Sequence, residues 1–393
     1  MSSQLAAPDG SLERLKEAGY RFAIRENYLV MAVPYLNAAG ELRRGFMADP
    51  LNVVNGTEIG VPGNHQMYFI GDAPCGLDGE SLVQEVLGGG FHNAEIFDKH
   101  RSSYYFSHKL KENGADRNYL SLFEKFNQYY QTIAAPARYV HQGADGAFLD
   151  VDFGGDIESP FCFPDSFSAH AELSGLNGRL RPLTVGIIGL GGTGSYVLDF
   201  LAKMPVKRIR LFDDDDYVVK NAFRSPGTSA ASDFQRDKVA LYVERYSSFR
   251  MEVLGEKERI SRANPASVSE CDFLFVCVDK AGSRAEILAL LRDLHKPFID
   301  VGMGLNHTPD GLAGGLRATL VTDETAQRVI DNHCLPAGND EDDLYQTNIQ
   351  IAELNALNAA IAMIMFKKRY GFYRDDDPAY HLLMTLGRMK VFS

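Results

Sequence analysis

Four glycines fall within six residues, Gly189-Leu190-Gly191-Gly192-Thr193-Gly194, directly after the apolar run LTVGII and directly before the amphipathic stretch SYVLDFLAKM. Glycines between a buried strand and a helix let the backbone turn tightly and bring its N–H groups close to a phosphate at the helix N-terminus. Asp213 ends the next apolar run, VKRIRLFD, where an acid that binds ribose hydroxyls belongs in the G-x-G-x-x-G pattern of nicotinamide enzymes. On the glycines alone NAD and ATP are equally open, and a tight turn with no ligand is the third reading.

Residues further on separate these readings. Asp213-Asp214-Asp215-Asp216 is followed by Asn221-Ala222-Phe223-Arg224, then by Lys238 at the head of the next helical stretch, then by Val276-Cys277-Val278-Asp279 and Arg284. Taken one at a time, Arg224 and Lys238 could be solvated surface charges and the aspartate run an acidic turn. Together and in this order they resemble the adenylation domain shared by ubiquitin-activating (E1) enzymes and the bacterial ThiF and MoeB proteins: GxGGxGS, D-x-D followed by N-x-x-R, a helix lysine, and D-x-x-x-x-R after the fourth strand. The resemblance runs from about Leu183 to Arg369.

That resemblance implies ATP and Mg²⁺ as cofactors and a carboxylate as substrate. Attack of a carboxylate on the α-phosphate of ATP gathers several negative charges, so catalysis there is mainly positioning and neutralisation. Gly189, Gly191, Gly192 and Gly194 would then cradle the nucleotide and Asp213 would bind the ribose. Asn221, Arg224 and Lys238 would hold phosphates, and Asp279 would hold Mg²⁺ with Asp215 nearby. The partners implied are a ubiquitin-like protein with an exposed C-terminal carboxylate, an E2-like protein and a second copy of the chain in a homodimer. Cys334, beside His333 in DNHCLPAGNDEDDLYQTN, lies where members that form a thioester place their thiol; an inert loop cysteine is the alternative. Activation of a sulfur carrier or another carboxylate, and a scaffold without activity, stay open beside the E1-like reading.

The chain departs from the bacterial relatives in two respects. It has no paired C-x-x-C zinc motif, and SGLNGRLRPL ahead of the glycine turn lacks the R-x-x-R-Q run that supplies an arginine across the dimer; Arg179 and Arg181 are the substitutes at hand.

These residues need a scaffold. From Leu183 onward strands apolar throughout (LTVGII, VKRIRLFD, DFLFVCVD, KPFIDVGM) alternate with helical stretches, which predicts a doubly wound α/β domain with a mostly parallel, Rossmann-like sheet. LAGGLRATLV reads as further strand, and a long helix is expected from about Asn348 to Arg369. Ahead of the Gly-, Pro- and Asp-rich stretch 143–183 the spacing predicts a smaller α+β domain: strands between Tyr20 and Ile70, and a helix over Asn118–Ala134 with an aromatic core stripe. The boundary is placed at residues 1–165 and 166–393. The N-terminal half carries no motif tied to a reaction; it resembles, more loosely, the uncharacterised domain found ahead of ThiF-like domains in bacterial ubiquitin-like conjugation clusters. A role in recognising the substrate or the E2-like partner is expected of it. His92, His100 and His108 lack the i, i+4 spacing of a helical metal site.

Composition narrows the remaining classes. At 393 residues the chain can hold two cores, and 45% hydrophobic with 23% charged residues is the balance of a globular protein. A formal charge of −12 argues against nucleic acid and anionic membrane as partners. Five dispersed cysteines suit a reducing compartment, and with no secretory signal or membrane-length apolar run the expected location is the cytoplasm.

Overall fold

A computed structural model of the chain describes residues 5–97, 99–148, 159–163, 165, 167, 168, 171–335, 349–388 and 390–392. The chain divides into two compact units, Met1–Gly178 and Arg179–Ser393.

The first unit is built on an antiparallel sheet. Its strands are β1 (Phe22–Arg25), β2 (Tyr28–Leu36), β3 (Leu42–Pro50), β4 (Gln66–Ile70), β5 (Gly90–Phe91) and β6 (Tyr104–Ser107), in the order β1-β2-β3-β4-β6-β5. The stretch RFAIRENYLVMAVPYL breaks into two strands because Glu26 and Asn27 take positive φ (45° and 72°), the backbone of a two-residue hairpin turn. All nine residues of β2 are buried, against the alternation expected of its sequence. Leu29, Met31, Val33 and Tyr35 pack with Phe126, Tyr129 and Ile133 of the helix α2 (Leu122–Val140), while Tyr28 and Val30 pack with Ile96 and Phe97 on the opposite face. Ser121 caps α2 by accepting from the Glu124 N–H at 3.0 Å, and the helix runs six residues beyond the expected Ala134, through Pro136. Burial of the stripe overrides the one hydrogen bond that proline removes.

The second unit holds an eight-stranded sheet. Its elements are β7 (Thr184–Ile188), α3 (Gly192–Ala202), β8 (Arg208–Phe212), α4 (Val219–Ala222), α5 (Lys238–Ser247), β9 (Val253–Glu256), β10 (Phe273–Val276), α6 (Ala281–Asp293), β11 (Phe298–Thr308), β12 (Gly311–Val321), α7 (Ala352–Arg369), β13 (His381–Thr385) and β14 (Lys390–Phe392). The order is β9-β8-β7-β10-β11-β12-β13-β14, parallel from β9 to β11 and antiparallel beyond it. The mostly parallel, doubly wound sheet expected from the sequence is therefore present. Its strands are apolar throughout because both faces are covered. Val185, Ile187, Ile209 and Leu211 pack with residues of α3, α5 and α7, whereas Ile188, Phe212, Leu274 and Val276 pack with Ile287, Leu288 and Leu291 of α6.

One buried cation fixes α3 at its far end. Arg250, 1% exposed, donates from its guanidinium to the carbonyls of Met204 (2.9 Å) and Val206 (2.6 Å), and more distantly to Leu201 and Ala202. These carbonyls follow or close the helix, where its dipole is negative. No helix among the described residues is long and apolar enough to cross a membrane.

Candidate functional site

The sheet order reverses between β7 and β10, so the segments leaving these adjacent strands run apart and open a cleft at their carboxyl ends. Gly189 and Gly191 line it, and the four glycines of the turn are required for different reasons. Gly189 has φ of 91°, and a Cβ there would meet the Cys277 backbone at 2.9 Å. A Cβ on Gly194 would overlap the Gly189 carbonyl oxygen, so that glycine closes the turn upon itself. A Cβ on Gly192 would overlap the Asn355 amide and lie 2.7 Å from Gln350 Oε1. Gly191 is different: nothing stands within 4 Å of a Cβ built on it, and it lines the cleft. The fold does not require a glycine there, whereas a ligand pressed against the backbone does.

The cleft combines an apolar wall of Ile188, Phe212, Ile260 and Ile287 with Asp213, Asp215, Arg224, Lys238 and Asp279. Asp213 is held on three sides: Oδ2 accepts the Leu190 N–H (2.6 Å), while Oδ1 accepts the Asp215 N–H (3.0 Å) and Lys238 Nζ (2.7 Å). Lys238 heads α5 and is itself buried, with a second, longer contact of 3.3 Å to Asp215 Oδ2. Asp213 and Lys238, expected on ribose and phosphate respectively, are thus bonded first to each other. Arg224 Nε is buried and makes no hydrogen bond among the described residues, which fits an anionic ligand.

Asn221 does not line the cleft. It is buried, and its side chain accepts the Val218 N–H at 2.9 Å while its carbonyl accepts the Arg224 N–H at 3.1 Å. It shapes the short loop that presents Arg224.

A second cavity adjoins the first and shares Cys277, Val278, Asp279 and Gln350 with it. Its far wall is the stretch Val301–Asn306 of β11. β10 pairs with β11 only as far as Asp300, so beyond that point this edge of β11 is released toward the cavity. Arg284 lines the cavity as well; its guanidinium donates to the carbonyls of Val278 and, at 3.0 Å, Val301, and lies 3.5 Å from the fully buried Asp300. Asp300 also pairs with Arg317 at 2.5 Å.

Two residues of the site went unnoticed in the sequence. Gln350 Oε1 accepts the Gly192 N–H at 3.3 Å, and Asn355, fully buried on α7, accepts from Thr193 Oγ1 (3.0 Å) and donates to the Arg224 carbonyl (3.2 Å). The available signal was polar: Asn355 and Asn358 interrupt an otherwise apolar helix, and both are buried.

Cys334 stands apart from these groups. It is 8% exposed, packs in the apolar cluster with Val329 and Val321, and is not among the residues lining either cavity. Burial pushes its thiol above the usual range, with Arg317 acting in the opposite direction. Residues 336–348 of that loop lie outside the described residues. Cys271 is a core residue, its thiol pushed up to about 11 by burial, whereas Cys277 lines both cavities. Arg179, a substitute for a partner arginine, donates to the Gly371 carbonyl of its own chain.

For a divalent cation the described residues offer two carboxylate groups. The side chains of Asp213, Asp214 and Asp215 place ligand atoms within 4.8 Å of one another, yet Lys238 Nζ already occupies that cluster. Asp279 is exposed and lines both cavities, and a carboxylate that leaves further positions to water and phosphate oxygens is a donor type Mg²⁺ accepts. His92, His100 and His108 form no metal-binding group among the described residues.

Residues 169–356 match the ThiF family, and residues 10–166 match a domain of unknown function, DUF6791. No curated protein matches the chain. Among solved structures, selenomethionine PaaA is 18% identical with a TM-score of 0.40, covering 55% of this chain and 74% of its own. MccB of E. coli with ATP (16% identity, TM-score 0.42) and MccB with AMPCPP and selenomethionine MccA (17%, 0.42) each cover 55% of this chain. The match spans 64% and 65% of those two MccB chains, less than two thirds of their length. The C-terminal half of this chain carries a ThiF family domain, at residues 169–356, preceded by a DUF6791 domain at residues 10–166.

Proposed function

We propose that this protein is an E1-like activating enzyme that uses ATP to adenylate the C-terminal carboxylate of a ubiquitin-like protein. The observation that carries this reading is the pair of adjoining cavities: one combines an apolar wall with Arg224 and Lys238, the other is bounded by a released strand edge, and Asp279 lines both. The ThiF domain supports ATP-dependent adenylation in general. The end of β10–β11 pairing at Asp300 supports a substrate that enters as an extended chain end, since a strand edge pairs with an extended peptide, although the Val301 and Gly302 carbonyls already accept from Arg284 and Asn358.

In this mechanism the base lies against Ile260 and Ile287, and the phosphates follow the backbone at Gly191 and Gly192. Arg224 and Lys238 neutralise the triphosphate. A carboxylate oxygen from the second cavity attacks the α-phosphorus; the bond from that phosphorus to the bridging oxygen breaks, and pyrophosphate leaves with the electron pair. Asp279 would hold Mg²⁺, which supplies further charge neutralisation at the phosphates. The chain's own contribution is alignment and a fixed electrostatic field.

Transfer to an E2-like protein follows from the adenylate directly or through an enzyme-bound ester. Buried Cys334 does not favour a thioester on that residue. The test is exchange of labelled pyrophosphate into ATP, dependent on a small protein ending in an exposed glycine. Exchange with such a partner, and AMP linked to its C-terminus, is the expected result; exchange supported only by a short peptide or a sulfur carrier would replace the ubiquitin-like substrate while keeping the chemistry.

A further inference from the structure

Asn355 lies on α7, far along the chain from the glycine turn, yet makes its contacts at the turn. Its Oδ1 accepts from Thr193 Oγ1 at 3.0 Å, and its Nδ2 donates to the Arg224 carbonyl at 3.2 Å. The side chain is fully buried, and a buried amide is costly unless both ends are bonded. One residue therefore ties the first turn of α3 to the loop that carries the cleft's arginine. The same amide occupies the space where a Cβ on Gly192 would stand, with Asn355 Cγ 2.5 Å from that position. Gly192 lacks a side chain because Asn355 is there, whereas Gly191 faces open space.

We infer that Asn355 is a positioning residue for the phosphate end of the site: it holds Thr193, through its hydroxyl, and the Arg224 main chain as one unit, and Gly192 and Asn355 form a matched pair. The inference rests on the reading of the cleft as an adenine nucleotide site. Asn358, one turn further along α7, acts on another element by donating to the Gly302 carbonyl at 3.0 Å, so the glycine-turn role belongs to Asn355.

Two measurements on the full chain test it, one free of nucleotide and one not. The first is a double-mutant cycle in thermal unfolding with Gly192→Ala, Asn355→Ala and the pair. Gly192→Ala should lower Tm by several degrees in the native background and by less with Asn355→Ala, where the amide overlap is gone and only the contact with Gln350 Oε1 remains; equal shifts in both backgrounds would overturn the pairing. The second compares binding of ATP and adenosine to Asn355→Asp, which keeps shape and the bond from Thr193 but loses the donor to Arg224 and adds negative charge. ATP affinity should fall by about ten- to a hundredfold, the usual loss when a group supporting a ligand contact is removed, and adenosine affinity by far less. An equal loss for both ligands would mark a merely structural asparagine and overturn the proposal. If the native protein binds neither ligand, the nucleotide reading of the cleft falls and the positioning claim falls with it, while the unfolding cycle still reports whether Asn355 and Gly192 are coupled. Should the alanine variants fail to fold, Asn355→Asp and Asn355→Ser supply the same comparison.

Discussion

Lys238 Nζ lies 2.7 Å from Asp213 Oδ1, and both side chains are under 10% exposed. A buried pair of this kind is more informative when broken than when counted, because removing one partner leaves the other charge without compensation. Lys238→Met should lower stability by about 3–5 kcal/mol and abolish nucleotide binding. In Asp213→Asn/Lys238→Met much of the stability should return and nucleotide binding should not. Urea unfolding and calorimetric titration with ATP separate the two effects; recovered binding in the double variant would remove Lys238 from the phosphate site.

Asp279 calls for the opposite pattern. It is exposed and lines both cavities, so in Asp279→Ala pyrophosphate exchange should fall to background while the domain stays folded by circular dichroism. Retained exchange at saturating Mg²⁺ would move the cation to another residue.

Two of the glycines give a contrast within one turn. Gly194→Ala drives a methyl group into the Gly189 carbonyl and should destabilise the domain strongly, with ligand binding lost as a result. Gly191→Ala meets no atom of the chain, so Tm should stay within a degree or two of the native value while ATP affinity drops. Unchanged affinity in a folded Gly191→Ala protein would place the phosphates elsewhere.

At Cys334 a raised thiol implies slow alkylation at neutral pH, because the thiolate is the reactive species. Iodoacetamide should modify Cys334 in the folded chain more slowly than in the same chain unfolded in urea, with the rate still climbing above pH 9. Cys334→Ala should leave pyrophosphate exchange intact. Rapid, selective labelling of Cys334 at pH 7 would restore it as a nucleophile.

His381 sets a pH dependence of stability. Burial first, then the nearby Arg317, lowers its affinity for a proton from the ordinary value of 6.5, and its Nδ1 lies 3.0 Å from Thr319 Oγ1. The unfolded chain then binds the proton at a higher pH than the fold does, so this contribution is complete above about 6.5 and is lost as pH falls through it toward the lower folded value. Between pH 7.5 and 5.5 the drop in Tm should be smaller in His381→Gln than in the native protein; His65, also lowered by burial, leaves a residual slope in both.

The parts of this site carried by short, ordered segments were legible in the sequence. The glycines, Asp213 and Asp279 lie within a few residues of strand ends, and the periodicity of apolar runs located those ends; Lys238 stands at the head of a helix and Arg224 just beyond a short one. Asn355 and Gln350 were not legible, because they reach the turn from α7 and the residues just ahead of it, about 160 positions away, and nothing in their local pattern points to it. Asn221 was assigned to phosphate by the family pattern; only its bond to the Val218 N–H shows it shaping a loop. The burial of Cys334 arises from packing against Val321 and Val329, which a polar loop sequence does not disclose. In the first unit the alternation of β2 gave way to burial on both faces, since the residues that cover Tyr28 and Val30 lie about seventy positions downstream.

Arg250 gives the phosphate turn a further property. Its guanidinium saturates carbonyls at the trailing end of α3, so the helix whose leading end faces the cleft is anchored where no ligand reaches. A nucleotide therefore meets donors whose conformational entropy was surrendered when the chain folded, and little of the free energy of association is consumed in ordering them.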